Sequence, residues 1–463
     1  MQQYIYLISA LCFIFALKGL SSHNESKMGN IAGIAGMSLA LFAAIFFQEF
    51  HHQFLAISAI AAGGIVGAVI ALNIQMTSLP QLVAAFHSLV GLAAVFVAFS
   101  AYLTPESLGI GFGDQINSSS LVEMSLGSSV GAITFTGSVI AFAKLHGIMP
   151  TKIIKFPGQQ YVSISTFFGI VALIFVFVKW QQIWALMLLV LLSFIIGVLL
   201  IIPVGGADMP VIVSMLNSYS GIAAAGIGFT LQSNLLIITG SLVASSGAIL
   251  SYIMCNAMNR SLFNVIFGAF LPKKTSSSKE EDEEKVVNPS SSEDAAFTIS
   301  NSSSVVIVPG YGMAVAQAQH AIKDLTNLIK EKDIDVKFAI HPVAGRMPGH
   351  MNVLLAEANI PYELVYELDE INNEFSITDV VIVIGANDIT NPAAKNDPES
   401  PIYGMQIAEV SNAQNVFFIK RSTSPGYAGI DNELFYNQNT FMLFGDAKKV
   451  VEDIIKSLKD QFS

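Results

Sequence analysis

Two sets of residues in this 463-residue chain could do chemistry. The first is the run Val308-Pro-Gly310-Tyr311-Gly312-Met-Ala-Val315-Ala316. Glycines at this spacing allow a tight turn and let backbone approach a pyrophosphate closely, while the start of the following helix supplies N-H groups and the positive end of its dipole. A fingerprint of this kind needs a strand before it and a helix after it. Val305 to Val308 reads as that strand and Met313 to Lys330 as that helix. An NAD site of the usual kind also wants an acid about 20 residues past the glycines, for the ribose 2'-hydroxyl. None is there: the next strand, Val336 to Ile340, ends at His341-Pro342, and the nearest bases are Arg346 and, after a later strand, Lys420 and Arg421. A missing acid with bases at hand points to a 2'-phosphate, hence NADP(H). The turns Gly385-Ala386-Asn387-Asp388 and Lys420-Arg421-Ser422 through Gly426, Tyr427 and Gly429 follow strands at the carboxyl edge, where open α/β sheets bind ligands, although each turn alone is also ordinary loop chemistry.

The second set lies in apolar surroundings. His87 stands in Leu82-Val-Ala-Ala-Phe-His-Ser-Leu-Val-Gly91 and Asn217 in Ser214-Met-Leu-Asn-Ser-Tyr-Ser-Gly221, with Asp208 just ahead of the latter run. Ionisable groups are costly in hydrocarbon and usually face a partner or a water-filled path. A histidine can both accept and donate a proton near pH 6.5, as a relay through a bundle requires, and an asparagine beside it can hold the ring or a water. A histidine that merely bonds a neighbouring helix is the alternative, weakened by Ser218 and Ser220 at similar depth. Glu123 reads as a solvated interfacial charge.

These residues need elements to position them. With 53% hydrophobic and 12% charged residues the chain is outside the range of an ordinary soluble domain. A helix of about 20 mostly apolar residues crosses the hydrocarbon core, and nine such runs occur, over residues 3–20, 31–48, 54–73, 82–102, 121–144, 161–178, 183–204, 210–231 and 234–256. His87 and Asn217 then lie about two turns, or about 10 Å, in from one face and could meet. If the C-terminus is cytoplasmic, the inside segments carry Lys18, Lys27, Lys144, Lys152, Lys155, Arg260, Lys273 and Lys274, and the outside only Lys179. Small-residue stretches, Ala61 to Gly67 and Gly221 to Gly228, suit close helix packing. Cys12 and Cys255 lie far apart in apolar runs and imply neither a disulfide framework nor a metal site. The first apolar run has no basic n-region or cleavage site and reads as a retained span.

The sequence therefore divides into a transmembrane helical domain over 1–260, an acidic, serine-rich linker over 261–303 and an α/β domain with a parallel sheet over 304–463. Most of the net charge of -11 falls in the last two, which gives no support to nucleic-acid binding.

At full length the chain resembles the beta subunit family of proton-translocating NAD(P) transhydrogenases. The strings that carry the resemblance are Phe86-His87-Ser-Leu-Val-Gly-Leu-Ala-Ala, Gly131-Ala-Ile-Thr-Phe-Thr-Gly-Ser138, Gly205-Gly-Ala-Asp208-Met-Pro, Ser214-Met-Leu-Asn217-Ser-Tyr-Ser-Gly, Pro309 to Gln319, His341-Pro-Val-Ala-Gly-Arg346-Met-Pro-Gly-His, Gly385-Ala-Asn-Asp388 and Phe441-Met-Leu-Phe-Gly-Asp446-Ala-Lys. The resemblance implies a polytopic α-helical membrane bundle with a Rossmann-like NADP(H) domain, and direct hydride transfer from NADH coupled to inward proton translocation. It implies a reversed cofactor orientation, with Val343, Ala344, Gly345, Arg346, Met347, Pro348 and Gly349 folded over the nucleotide. Lys420, Arg421 and Ser422 would take the 2'-phosphate, and Gly310, Tyr311, Gly312, Val315, Gly385, Ala386, Asn387, Asp388, Gly426, Tyr427, Asp446 and Ala447 would line the site. His87 and Asn217 match the family's proton pathway, and Asp208 its coupling to the nucleotide domain. One fingerprint per chain implies that NAD(H) sits on a separate alpha subunit, in a dimer of alpha-beta pairs in a bacterial inner membrane, with the C-terminal domain cytoplasmic. A nucleotide-gated channel would share the bundle and the glycine turn but lacks a selectivity sequence, and a quinone-linked dehydrogenase would need a flavin or metal motif.

Overall fold

A computed structural model describes residues 2–20, 25–47, 53–112, 115–150, 154–262, 265, 286–400, 402–426 and 429–462. Among them nine helices are long and apolar enough to cross a membrane: α1 Gln2–Leu20, α2 Ser26–Phe47, α3 Gln53–Asn73, α4 Leu79–Leu103, α5 Ser118–His146, α6 Gln159–Trp180, α7 Ile183–Ile201, α8 Met209–Thr230 and α9 Asn234–Ala257. The apolar runs of the sequence fall on these helices because a backbone in hydrocarbon must satisfy its polar groups within the segment. Their hydroxyls obey the same rule: Ser125, Thr134, Thr166 and Ser193 each donate to the carbonyl four residues back. A two-strand hairpin, β1 Gly111–Phe112 with β2 Gln115–Ile116, separates α4 from α5.

Helix α8 is the most enclosed span, and small residues make that possible. A Cβ on Gly221 would lie 2.3 Å from the Ala244 nitrogen of α9, so the backbones touch. Ser214 and Ser218 reinforce the seam, donating to the carbonyls of Gly247 at 3.1 Å and Ala244 at 2.8 Å. The stretch Ala61 to Gly67 behaves otherwise. Gly63, Gly64 and Gly67 of α3 have nothing within 4 Å among the described residues, so their small size serves no packing inside this chain.

The C-terminal unit is a six-stranded parallel sheet in the order β5-β4-β3-β6-β7-β8. Its strands are β3 Ser304–Pro309, β4 Asp335–Ile340, β5 Val365–Glu367, β6 Val380–Ile384, β7 Asn415–Lys420 and β8 Thr440–Phe444. This is the strand order of a doubly wound dinucleotide fold, with the switch between β3 and β6. Val305 to Val308 and all of β6 are buried, as strands covered on both faces must be. Amphipathic helices cover them. In α12 Gln319–Lys330 the residues Ala321, Ile322, Leu325 and Ile329 face inward, and in α13 Ala447–Phe462 Val450, Val451, Ile454 and Leu458 do so.

Two features differ from the sequence reading. The helix expected over Met313 to Lys330 is broken into α11 Tyr311–Val315 and α12, because Gln317 takes a left-handed conformation (φ 51°) between them. Its side chain donates to Gln75 Oε1 at 2.9 Å, so the break puts a contact on the membrane unit. Residues 292–300, counted with the serine-rich linker, form helix α10 (Ser292–Ser300). Ser291 and Asp294 make a reciprocal capping box, and Ala295, Ala296 and Ile299 are buried in the core of the α/β unit. Just before it, Pro289 pairs with Met442 alongside β8. Serine here caps a helix rather than loosening a chain, and three small apolar residues are too few to stand out as a period. The charged run Lys279 to Lys285 lies outside the described residues.

Candidate functional site

Three strand ends converge on one turn. The Gly310 amide donates to Ile384 O at 2.8 Å, Gly312 N to Gly385 O at 2.8 Å and Gly385 N to Ile419 O at 3.0 Å, tying the ends of β3, β6 and β7 together. Glycine is obligatory in this crossing. Gly385 is left-handed (φ 61°), and a Cβ on it would stand 2.3 Å from Gly312 Cα.

In front of the turn opens a cleft of about 480 Å³, within the usual range of about 300–1,000 Å³ for small-molecule and cofactor sites. Of the residues singled out from the sequence it brings together Gly310, Tyr311, Gly312, Val315, Val343, Ala344, Gly345, Gly385, Ala386, Asn387, Asp388, Lys420, Arg421, Ser422, Gly426 and Ala447. The Lys420 ammonium donates to Asn387 Oδ1 at 2.9 Å and Ser424 O at 2.6 Å, and sits 4.7 Å over the Phe435 ring. Burial pulls this lysine down to about 8, against the opposing pull of Asp388 and Asp431. Arg421 and Ser422 are exposed beside it.

Other expected residues stand elsewhere. Arg346, Met347, Pro348 and Gly349 do not line the cleft. Arg346 packs 4.3 Å over the Tyr311 ring, its amide donates to His350 Nδ1 at 3.1 Å, and its guanidinium donates to Leu145 O of α5 at 2.5 Å. The loop that holds it is fixed by two buried histidines. His341 donates through Nε2 to Gln406 O at 2.7 Å and accepts from the Val343 amide at 3.2 Å. Burial pulls His341 down to about 4 against that carbonyl, and burial followed by Arg346 does the same to His350. Both are therefore neutral acceptors at pH 7. Asp446 is exposed and accepts from the amides of Lys448 and Lys449, so it caps α13. Tyr427 lies outside the described residues.

The cleft also has walls that motif reasoning did not identify: Gly206, Met258 and Arg260 from the membrane unit, and Ile402 and Met405 from the α/β unit. The sequence signals were slight, a glycine pair before Asp208 and a lone arginine after the last span. Asp208 pairs with Arg260. Both its oxygens accept from Arg260 Nη1, at 2.6 and 2.8 Å, in a partly buried ion pair at the cleft's membrane side.

Within the bundle, His87 on α4 meets α8 through Ser220, whose Oγ lies 3.1 Å from Nδ1. The same hydroxyl donates to the main-chain carbonyl of Asn217 at 2.7 Å, a bond within α8 that does not involve the asparagine side chain. His87 Nε2 is buried and has no hydrogen-bond partner among the described residues. No group of three or more His, Cys, Asp or Glu among the described residues could hold a metal ion.

A family model described as NAD(P) transhydrogenase beta subunit matches residues 2–457. The chain is 56% identical over 454 residues to NAD(P) transhydrogenase subunit beta of Rhodospirillum rubrum, covering 98% of each chain. The same figures hold for that subunit in Rhodospirillum rubrum strain ATCC 11170.

Proposed function

The chain belongs to the family of NAD(P) transhydrogenase beta subunits, and from that premise we propose how its residues divide the work of a hydride transfer coupled to proton translocation. The enzyme moves hydride between NAD(H) and NADP(H), and this chain is one component of it. NADP(H) binds in the cleft of this chain and NAD(H) on the alpha subunit, two alpha-beta pairs forming the assembly. The observation that carries this assignment is the end of β7: Lys420, Arg421 and Ser422 line the cleft beside the glycine crossing, while β4 ends at buried His341 and offers no acid to a 2'-hydroxyl.

The cleft fits such a group. The Gly310 and Gly312 backbones stand bare at the strand switch, where a Cβ would collide with Ala386 or Gly385, and both glycines line the cleft, which suits a close approach of the cofactor to the backbone. NADP(H), when bound, supplies the nicotinamide that gives or takes the hydride. The protein would bind and orient it: Lys420 and Arg421 neutralise the 2'-phosphate, while Asp388 and Asn387 on one side and Val343, Ala344 and Gly345 on another wall the cleft. In the bundle His87 carries the proton, Ser220, itself tied to the Asn217 main-chain carbonyl, holds its ring, and the Asp208–Arg260 pair transmits its state to the cleft. The coupling is reciprocal, because a proton that changes nucleotide affinity is itself held more or less tightly by the nucleotide. Lys18, Lys27 and Arg260, set against Lys179, support an inner-membrane orientation with the soluble unit in the cytoplasm.

The test of the nucleotide assignment is calorimetric titration of the purified chain with NADP+ and NAD+ across pH. The Lys420 cation is present below about 8 and is lost as pH rises through that value. NADP+ affinity therefore falls by up to about tenfold for each pH unit above this point, while NAD+, lacking the phosphate, binds weakly and without that slope. Lys420→Arg, which stays charged, removes the slope. Equal affinity for both nucleotides at pH 7 would overturn the assignment.

A further inference from the structure

The last turn of α5 carries a buried lysine that the mechanism above does not use. Lys144 is 1% exposed, and its ammonium donates to three backbone carbonyls at the end of α7 and just past it: Ile201 at 3.2 Å, Ile202 at 2.5 Å and Val204 at 2.7 Å. An ammonium has three donors, and the final carbonyls of a helix are the ones left without partners, at the negative end of its dipole. Burying an ammonium is expensive, so space filling alone would be served better by leucine or methionine. What a cation adds is a hold on a non-helical segment through its carbonyls.

The next residue repeats the arrangement with roles exchanged. Leu145 lies in the last turn of α5, where carbonyls lose their intrahelical partners, and its oxygen accepts from Gln81 of α4 at 3.3 Å and from Arg346 at 2.5 Å. One helical turn thus grips three elements: α4, six residues ahead of His87; the α7–α8 connection, which two residues past Val204 puts Gly206 on the cleft wall and then reaches Asp208; and the loop whose Val343, Ala344 and Gly345 line the same cleft.

We propose that the Lys144–Leu145 turn is the joint through which the proton site in the bundle and the nucleotide cleft sense one another, with Lys144 as a positioning residue for the coupled reaction. The inference rests on the transhydrogenase reading above. Displacement of α4 on a change at His87 moves the Leu145 carbonyl that Gln81 and Arg346 share, and Lys144 passes the same displacement to the wall at Gly206. No side chain of the joint reaches a reacting atom.

The experiment compares native, Lys144→Met, Lys144→Arg and Gln81→Leu chains, each reconstituted with the partner subunit in sealed vesicles, following NADPH formation and vesicle pH together. For Lys144→Met the expected result is a kcat lower by about tenfold or more with KM for NADP+ little changed, and fewer protons moved per hydride. Lys144→Arg, which keeps charge and donors, restores most of both. A Lys144→Met chain with native kcat and native proton yield overturns the joint, as does a loss confined to KM. Should Lys144→Met fail to assemble, Gln81→Leu decides: it leaves the ammonium intact, and the joint requires fewer protons per hydride, whereas a native ratio overturns it. If native vesicles form no NADPH, the failure belongs to the transhydrogenase reading and not to the joint.

Discussion

Sealed vesicles carrying the His87→Ala chain and its partner subunit form NADPH from NADH at least ~100-fold more slowly than native vesicles and show no accompanying pH change, the loss expected for removing a positioned proton-transfer group. The geometry sets this size. His87 is held by one bond, from Nδ1 to Ser220, and its buried Nε2 has no protein partner among the described residues, so a proton can exchange there without breaking a contact of the fold. Alanine removes that nitrogen and nothing near it replaces it. Ser220→Ala is milder, about tenfold or less, since it frees the ring but keeps Nε2. Calorimetric titration with NADP+ separates loss of the proton path from loss of the cleft, because both variants still bind NADP+, His87→Ala without the part of its pH dependence that His87 protonation imposes. Native-rate NADPH formation with a native pH change in His87→Ala would remove this histidine from the path.

The second large effect is at the glycine crossing. Gly385→Ala loses about 100-fold in NADP+ affinity, equivalent to about 2.7 kcal/mol, and lowers the melting temperature. Two costs add. A left-handed alanine costs about 1–2 kcal/mol, and its Cβ would stand 2.3 Å from Gly312 Cα, 2.6 Å from Gly312 C and 2.7 Å from Met313 N, all backbone atoms that cannot rotate away. The turns must separate, which breaks the Gly312 N to Gly385 O bond and shifts the glycine backbone that lines the cleft. Gly385→Asn distinguishes the two costs. Asparagine tolerates the left-handed region but keeps the Cβ, so it recovers little if the close approach dominates. Native affinity in Gly385→Ala would show that the crossing does not shape the nucleotide site.

Much of the site can be read along the chain because its signals are local. Span length and hydropathy mark α1 to α9 without any knowledge of neighbours. The β-branched runs at Val305 and Val380 and the Gly310-x-Gly312 spacing indicate strand, turn and helix within ten residues. The basic pair at Lys420 and the missing acid after Ile340 indicate a phosphate. Arg346 is the instructive misfit. Its charge and its loop suggest the cleft, yet its guanidinium bonds the end of α5, because an orphan helix carbonyl is as good an acceptor as a phosphate and leaves no mark in the sequence. Residues 292–300 misled in the opposite sense: serine suggests solvent, but Ser291 is a cap.

By itself, then, the sequence determined nine candidate membrane spans joined to a parallel α/β sheet, the glycine turn at a strand end, and a histidine set among apolar residues. These follow from periodicity, composition and short-range spacing, which depend only on side-chain identity. The tertiary structure alone decided that Ser220 of α8 meets His87, that Asp208 pairs with Arg260, that Gly206 walls the cleft, and that Lys144 holds the end of α7. Each of these joins segments far apart in the chain, and several end on backbone carbonyls, which every residue possesses. Only the packing of the helices selects which of them a buried donor will find.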